Sequence, residues 1–211
     1  MEILIPDLTY HIFNHANGNE NIFRNDENFR FFLEKFKIHI HSVASVIAYC
    51  LLPNHFHFMV KIRSEKELSA IFEKFKDLKT EEEQSNFISK QFSNLFSSYT
   101  QSFNKVNNRM GSLFVKNFKR ELIRSDKQFQ NTFLYIQLNA VKHGFVSHEM
   151  EWKWGSWMTY YLYSKSEKPE ELITALDIEF AISKFESIKN LMYCHELRRE
   201  KILAMKELEV E

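Results

Sequence analysis

Two histidines one residue apart have the type and spacing to do chemistry. His55 and His57 stand in the stretch LLPNHFHFMVKIR, whose alternating residues are typical of a strand. Residues two apart in a strand project to the same face, so both imidazoles point one way while Phe56 and Phe58 point the other. We therefore expect the phenylalanines to pack against helices and the histidines to lie on the open face of a sheet.

Two imidazoles on one face can bind one metal ion or one phosphate, or they can simply occupy a half-exposed strand. A second pair, His39 and His41, has the same spacing but falls in a segment whose apolar residues recur every three or four positions, which predicts a helix. Residues two apart on a helix point about 200° apart. That pair is therefore not expected to share a ligand.

A predicted helix that begins at Asp126 and ends at Gly144 offers further reactive groups. Tyr135 and Asn139 are four residues apart and so lie on the same face of this helix. An amide oxygen can ligate a hard divalent cation, and a tyrosine hydroxyl can attack phosphorus. The alternative is that Tyr135 is a core aromatic and Asn139 an ordinary surface amide.

The elements that must position these residues follow the order β-α-β-β-α-(α)-β-α, with helices after them. This order predicts an α+β fold with a ferredoxin-like split β-α-β antiparallel sheet, helices on one face, and a C-terminal helical extension. We place the domain boundary between 1–165 and 166–211. Such a fold hosts many functions, so the site residues must indicate the function.

The composition limits the class of protein. No stretch approaches the roughly 18 apolar residues of a membrane span, and the start MEILIPDLTY lacks the features of a signal peptide. The two cysteines, Cys50 and Cys194, have no metal-ligand spacing. We expect a reduced, cytoplasmic, nucleoid-associated protein without disulfides or membrane contact.

The formal net charge is zero, but it is unevenly distributed. Residues 101–125 carry a net charge of +5, and residues 166–211 carry −4. This asymmetry suggests an anionic partner for the middle segment, although a solvated face explains the charge equally well. The basic residues of the middle segment are Lys105, Arg109, Lys116, Lys119, Arg120 and Arg124.

Several stretches together resemble a known family. LLPNHFHFMV is similar to the HUH signature (His, bulky hydrophobe, His) of single-tyrosine transposases, in the form typical of REP-associated tyrosine transposases. YIQLNAVKHGFV resembles the second signature of that family, although Ala140 stands where the family usually has proline. The resemblance extends from about Leu8 to Leu162. Further agreement comes from TYHIFNHANGNENIF, SSYTQSFNKVNNRMGSLFVKNFKR and EWKWGSW.

The resemblance implies an enzyme that cleaves and rejoins single-stranded DNA next to a hairpin. The catalytic tyrosine maps onto Tyr135, and the ligands of a Mg²⁺ or Mn²⁺ ion map onto His55, His57 and Asn139. Attack by the tyrosine gives a 5′-phosphotyrosine bond and a free 3′-hydroxyl. Because alanine permits a helix where proline constrains it, we expect the helix to run unbroken through Ala140.

The predicted partner is single-stranded or hairpin DNA, bound by a monomer or a homodimer. The basic residues of the middle segment are expected to follow the DNA backbone, with Lys142 and His143 close to the nucleophile. Two other functions remain open: a non-catalytic nucleic-acid-binding domain of ferredoxin-like fold, which would use aromatics on its open sheet face, and a metal-dependent hydrolase that uses activated water.

Overall fold

The computed structural model describes residues 2–74, 78–167 and 177–208. Four strands form one antiparallel sheet in the order β2-β3-β1-β4. This is the strand order of a ferredoxin-like sheet, with β1 and β3 in its centre. The strands are β1 (Thr9–His15), β2 (Ala44–Leu52), β3 (His55–Ile62) and β4 (Lys119–Leu122).

Aromatic packing fills one face of the sheet. Phe58 stacks on Phe36 with ring centroids 4.3 Å apart, and Phe56 stacks on Phe96 at 5.5 Å. Asn25 caps the first of the covering helices by accepting a hydrogen bond from the Asn28 amide. The two covering helices are α1 (Asp26–Ile40) and α3 (Glu81–Val106), and α2 (Glu65–Lys74) precedes α3.

Further helices cover the other face. Met59 of β3 and Ile47 of β2 belong to a second apolar cluster, which includes Phe133 and Trp157. The α+β class, the antiparallel four-stranded sheet and the C-terminal helices are therefore confirmed, and the face expected to be open is covered as well. The helices here are α4 (Asp126–Gln137), α5 (Asn139–Lys142), α6 (Trp157–Ser164), α7 (Ile178–Ser183) and α8 (Ile188–Leu208).

The helix expected to run unbroken through Ala140 is interrupted two residues before it. Leu138, with φ −95° and ψ 8°, separates α4 from α5. Buried polar contacts hold the backbone on both sides of the break: Gln137 accepts a hydrogen bond from Ser156, and Asn139 contacts His55. Tertiary contacts thus override the helix propensity of this segment, and the prediction of a continuous helix is wrong.

Cys50 and Cys194 are free thiols. Within the described ranges, no helix is both long and apolar enough to cross a membrane. The predicted domain boundary at residue 165 stays a prediction. Helix α8 packs against α4, α5 and α6.

Candidate active site

His55 and His57 lie on the same face of β3, as the alternation predicted, with ring centroids 5.3 Å apart. They are not on an open face. Only 5% of His55 and 4% of His57 is exposed, because the segment that carries Tyr135 and Asn139 packs over them. The imidazoles therefore meet the polar groups of α4 and α5 in a largely dry environment.

The contacts of His55 determine which of its nitrogens carries the proton. Nδ1 lies 2.7 Å from Oδ1 of Asn54, the shorter of the two contacts of the ring, and this favours the tautomer with the proton on Nδ1. Burial, together with the nearby His15 and His143, lowers the pKa of His55 to about 4, so the ring is neutral at pH 7. Nε2 therefore presents a lone pair to Oδ1 of Asn139 at 3.2 Å.

A cation suits this arrangement, because two lone pairs that face each other repel unless a positive charge lies beside them. Ligands at right angles around an ion, each about 2.1 Å from it, lie about 3 Å apart, close to the observed separation. Asn139 is fully buried, and its Nδ2 has no hydrogen-bond partner within the described part of the chain. A half-turn of the amide would let Nδ2 donate to His55 instead. The Asn139 side chain can thus donate a hydrogen bond to His55 when no ion is bound, and its oxygen can ligate an ion when one is.

His57 has an equivalent arrangement. Its Nδ1 lies 2.9 Å from Nε2 of His11, a residue of β1. Burial first, and then the neighbouring imidazoles, lower the pKa of His57 to about 2, and burial lowers that of His11 to about 4. Both rings are neutral at pH 7, so one nitrogen of this pair donates and the other accepts. If Nδ1 of His57 donates, its Nε2 is left as a ligand, as in His55.

The candidate nucleophile lies beside this pair. The half-buried ring of Tyr135 on α4 is 5.2 Å from the ring of His57, and Nζ of Lys142 is 4.7 Å from the centroid of Tyr135. His143 meets His55 edge-on at 5.0 Å. The structure therefore brings together six of the predicted site residues: His55, His57, Tyr135, Asn139, Lys142 and His143.

The six basic residues predicted to follow DNA differ in their surroundings. Nε of Arg109 donates to Glu20 at 2.6 Å, and Arg124 donates to Glu2 at 2.8 Å. Both guanidinium groups are therefore paired with carboxylates of the same chain. The remaining members are differently placed: Lys105, Lys116 and Lys119 are exposed, whereas Arg120 donates to Ser89 and lies over the Phe118 ring.

Two of these basic residues line a polar groove between α3 and residues 111–120. It has a volume of about 570 Å³, and Lys116 and Arg120 stand on one wall. Ser93, Ser97 and Thr100 form the other wall, on α3. None of the described residues that line the groove is acidic. We call it the α3 groove.

Sequence reasoning missed the contribution of β1 to this site. His11, Phe13 and His15 face the same way as the β3 histidines, and His15 stacks on His55 at 4.8 Å. The alternation in HIFNH was a usable signal. The register that sets His15 opposite His55 and Phe13 opposite His57 joins residues far apart in the chain, so it could not be read from spacing.

No three His, Cys, Asp or Glu side chains in the described residues are arranged to hold a metal ion. A three-ligand site at this position therefore depends on the amide oxygen of Asn139. Imidazole and amide ligands together suit a divalent ion of the Mn²⁺ or Mg²⁺ kind, with water completing the shell.

Comparison with known proteins supports the motifs. A Haemophilus influenzae protein named "Putative REP-associated tyrosine transposase" is 30% identical over 118 residues, which are 55% of this chain and 60% of that protein. The predicted resemblance to REP-associated tyrosine transposases is confirmed. No family model matches the chain.

The fold agrees with the same family. A solved structure of a REP-associated tyrosine transposase bound to a REP hairpin superposes with a TM-score of 0.54, over 80% of this chain and 87% of that one. At 17% identity this likeness concerns the fold. The chain spans less than two thirds of the length of the H. influenzae relative. Any activity of REP-associated tyrosine transposases is therefore a proposal for this chain, to be argued from its own geometry.

Proposed function

We propose that the chain is a transposase-like enzyme that cleaves and rejoins single-stranded DNA beside a hairpin through a tyrosine nucleophile. One observation supports the proposal most strongly. Tyr135 lies next to His57, and His57 lies next to His55, which contacts Asn139. A core aromatic and a surface amide would not converge in this way. The similarity to a REP-associated tyrosine transposase and the fold shared with a hairpin-bound one support the same substrate class.

His55, His57 and Asn139 would hold a Mg²⁺ or Mn²⁺ ion. When bound, such an ion acts as a Lewis acid that neutralises charge developing on the scissile phosphate. The two imidazoles are suited to ligation because burial keeps them neutral, with pKa values of about 4 and about 2. Two nitrogen ligands favour Mn²⁺ over Mg²⁺.

Tyr135 supplies the nucleophile. Its phenol oxygen attacks the phosphorus, the bond from phosphorus to the 3′ oxygen breaks, and the products are a 5′-phosphotyrosine and a free 3′-hydroxyl. The phenol proton passes to solvent, and the departing oxygen takes one up. The ammonium of Lys142 over the tyrosine ring favours the negative charge that develops during attack. Attack by another 3′-hydroxyl reverses the step and joins strands.

The geometry favours this function over the two alternatives. A nucleic-acid-binding domain that stacks bases on its sheet needs exposed aromatics, whereas this face is histidine-rich and covered by α4 and α5. A hydrolase that uses activated water has no need for a tyrosine next to the imidazoles. All four groups of the proposed site come together within one chain.

The decisive experiment is to trap the covalent intermediate. The parent protein, incubated with Mn²⁺ and an end-labelled single-stranded oligonucleotide that contains a hairpin, should form a labelled adduct stable to denaturation. Tyr135→Phe should form none and should lower cleavage by roughly 10⁴-fold or more, because the nucleophilic oxygen is gone. Cleavage by Tyr135→Phe at the parent rate would contradict the proposal and favour the hydrolase.

The α3 groove is the proposed path of the single strand. Its volume is within the range of small-ligand pockets, about 300–1,000 Å³, so it admits a nucleotide or two but not a duplex. Hydroxyl groups, Lys116 and Arg120 are the donors that phosphate oxygens accept from. Val115 donates to the backbone oxygen of His15, which ties one wall to the strand end where His15 stacks on His55.

Salt dependence tests this path. Lys116→Gln should reduce the slope of log affinity against log salt by about 0.7–1, since one phosphate contact is lost. Lys90→Gln is the matched control, because Lys90 is an exposed lysine of α3 that does not line the groove. Equal slopes for both variants would place the DNA elsewhere.

A further inference from the structure

We infer that His11 and Glu121 are positioning residues that fix the proton of His57 on Nδ1 and so direct its Nε2 toward the metal position. The inference rests on the proposed function and extends it to two residues outside the predicted site. Glu121 (β4), His11 (β1) and His57 (β3) form a line across three neighbouring strands.

The line follows from the register of the sheet. His11 is directly opposite Glu121 in the β1–β4 pair, and its Nδ1 lies 3.6 Å from Oε2 of Glu121. On its other side, Nε2 of His11 lies 2.9 Å from Nδ1 of His57, one diagonal step along β3. The ring centroids are 5.1 Å apart and the ring planes differ by 24°, so the rings lie side by side in nearly one plane, as a hydrogen bond between ring nitrogens requires. His11 is 7% exposed, so water competes little for its nitrogens.

One assignment of protons satisfies the whole line. The carboxylate of Glu121 attracts the Nδ1–H of His11, so Nε2 of His11 carries a lone pair. That lone pair accepts from Nδ1–H of His57, which leaves the lone pair of His57 on Nε2. Asn54 favours the same state of His55, since its oxygen accepts from Nδ1–H. Both candidate ligands therefore offer Nε2. Outer partners of this kind commonly fix the tautomer of metal-binding histidines.

Packing does not explain His11. Phe13 lies on the same face of β1, two residues away, and stacks on His11 with ring centroids 4.6 Å apart. An aromatic hydrocarbon ring is therefore accommodated there. A second phenylalanine at position 11 would fill the space without the cost of burying a polar ring. The imidazole contributes its two nitrogens: Nε2 is at hydrogen-bond distance from His57, and Nδ1 lies 3.6 Å from the Glu121 carboxylate.

Binding of Mn²⁺ alone, measured by electron paramagnetic resonance, tests the inference without reference to activity. His11→Phe should weaken Mn²⁺ binding by about 10–100-fold, the usual effect of losing an outer partner. His11→Gln should restore most of the affinity, because its amide oxygen can accept from Nδ1–H of His57. Glu121→Gln should have a smaller effect, about threefold, because Glu121 is exposed and the contact is longer.

A matched control separates positioning from general damage to β1. Tyr10 neighbours His11 but faces the other way, and its hydroxyl donates to the Ile3 carbonyl at 2.9 Å. Tyr10→Phe therefore removes a buried hydrogen bond from the same strand without touching His57, and its Mn²⁺ affinity should equal that of the parent. A loss in Tyr10→Phe as large as that in His11→Phe would overturn the inference.

Nitrogen-15 spectra of the histidine rings report the proton position directly. The parent should show His57 protonated at Nδ1, and His11→Phe should shift part of the population to Nε2. An unchanged His57 tautomer in His11→Phe overturns the inference, whatever the metal affinity. A parent that binds no Mn²⁺ would overturn the metal part of the proposed function, and the tautomer measurement would still test the role of His11.

Discussion

On one face of β3, Phe56 and Phe58 pack among the rings of α1 and α3; on the other, His55 and His57 contact amide and imidazole groups from β1 and α5. All four side chains are at most 5% exposed. The hydrophobic effect accounts for the first pair, since burial of aromatic area stabilises the fold. Burial of the histidines brings no such gain and lowers their pKa values.

The difference shows that burial has a different role on each face of β3. Phe58 stabilises the fold by excluding water. His57 is kept neutral and oriented by exclusion of water, at some cost in stability, and a buried polar group of this kind commonly marks a functional site. Substitutions on the two faces should therefore separate stability from activity, and the predictions below run from the largest expected effect to the smallest.

His57→Ala should lower DNA cleavage by about 10³-fold or more, because one ligand and its charge-neutralising role are lost. The protein should stay folded, with a change in the free energy of unfolding of no more than about 3 kcal/mol. Cleavage rates and urea unfolding of the same preparation give both quantities. An unfolded His57→Ala protein would show that this face, too, is mainly structural.

Phe58→Ala, one residue along the strand, should do the reverse. Removal of a fully packed aromatic ring should lower the free energy of unfolding by about 3–5 kcal/mol. Under conditions where the variant remains folded, its cleavage rate and Mn²⁺ affinity should match those of the parent. A specific loss of Mn²⁺ affinity in folded Phe58→Ala would contradict the separation of the two faces.

A fourth buried imidazole lies outside the site and shows the cost of burial without a ligand. His195 stacks on Trp157 at 3.4 Å, and burial lowers its pKa to about 3. Between pH 6.5 and about 3 the unfolded chain therefore binds a proton that the folded protein does not, so stability falls by about 1.4 kcal/mol per pH unit as the pH decreases.

His195→Phe should reduce the slope of unfolding free energy against pH between 6 and 4 by about 1.4 kcal/mol per pH unit, while the other buried histidines keep their contribution. The charged neighbours are His148 and Glu149 on one side and Arg199 of α8 on the other. Glu149 acts in the opposite direction, because burial raises the pKa of its carboxyl and acid relieves that cost. The substitution leaves Glu149 in place, so the change in slope belongs to the histidine. An unchanged slope would show that burial does not lower the pKa of His195.

Structural features that depend on local periodicity could be predicted from the sequence. Alternation in β3 placed the histidines on one face, and the four-residue spacing of Tyr135 and Asn139 placed both groups at the site. Family resemblance identified the same residues and the fold. The helix break at Leu138 could not be predicted, because it depends on the contacts of Gln137 and Asn139 with residues far along the chain.

Long-range pairing also explains the other contacts that were not predicted. The six basic residues of the middle segment were predicted to follow the DNA backbone, and this stays a prediction. Spacing along the chain gave no sign that Arg109 pairs with Glu20 and Arg124 with Glu2. His11 was missed because only the β1–β3 register brings it to His57. Spacing along the chain cannot indicate which strands lie side by side.

The smallest expected effect belongs to a histidine with the spacing of the site pair but a different setting. His39 lies on α1, where its Nε2 contacts the Ser98 hydroxyl at 3.2 Å, away from β3. His39→Gln keeps a hydrogen-bonding group, so unfolding free energy should change by less than about 0.5 kcal/mol. Cleavage and Mn²⁺ affinity should remain those of the parent. His39 and His57 have the same side chain and differ in the element that carries them. A marked loss of cleavage or of Mn²⁺ affinity in His39→Gln would therefore show that metal binding does not depend on the position of a histidine on β3.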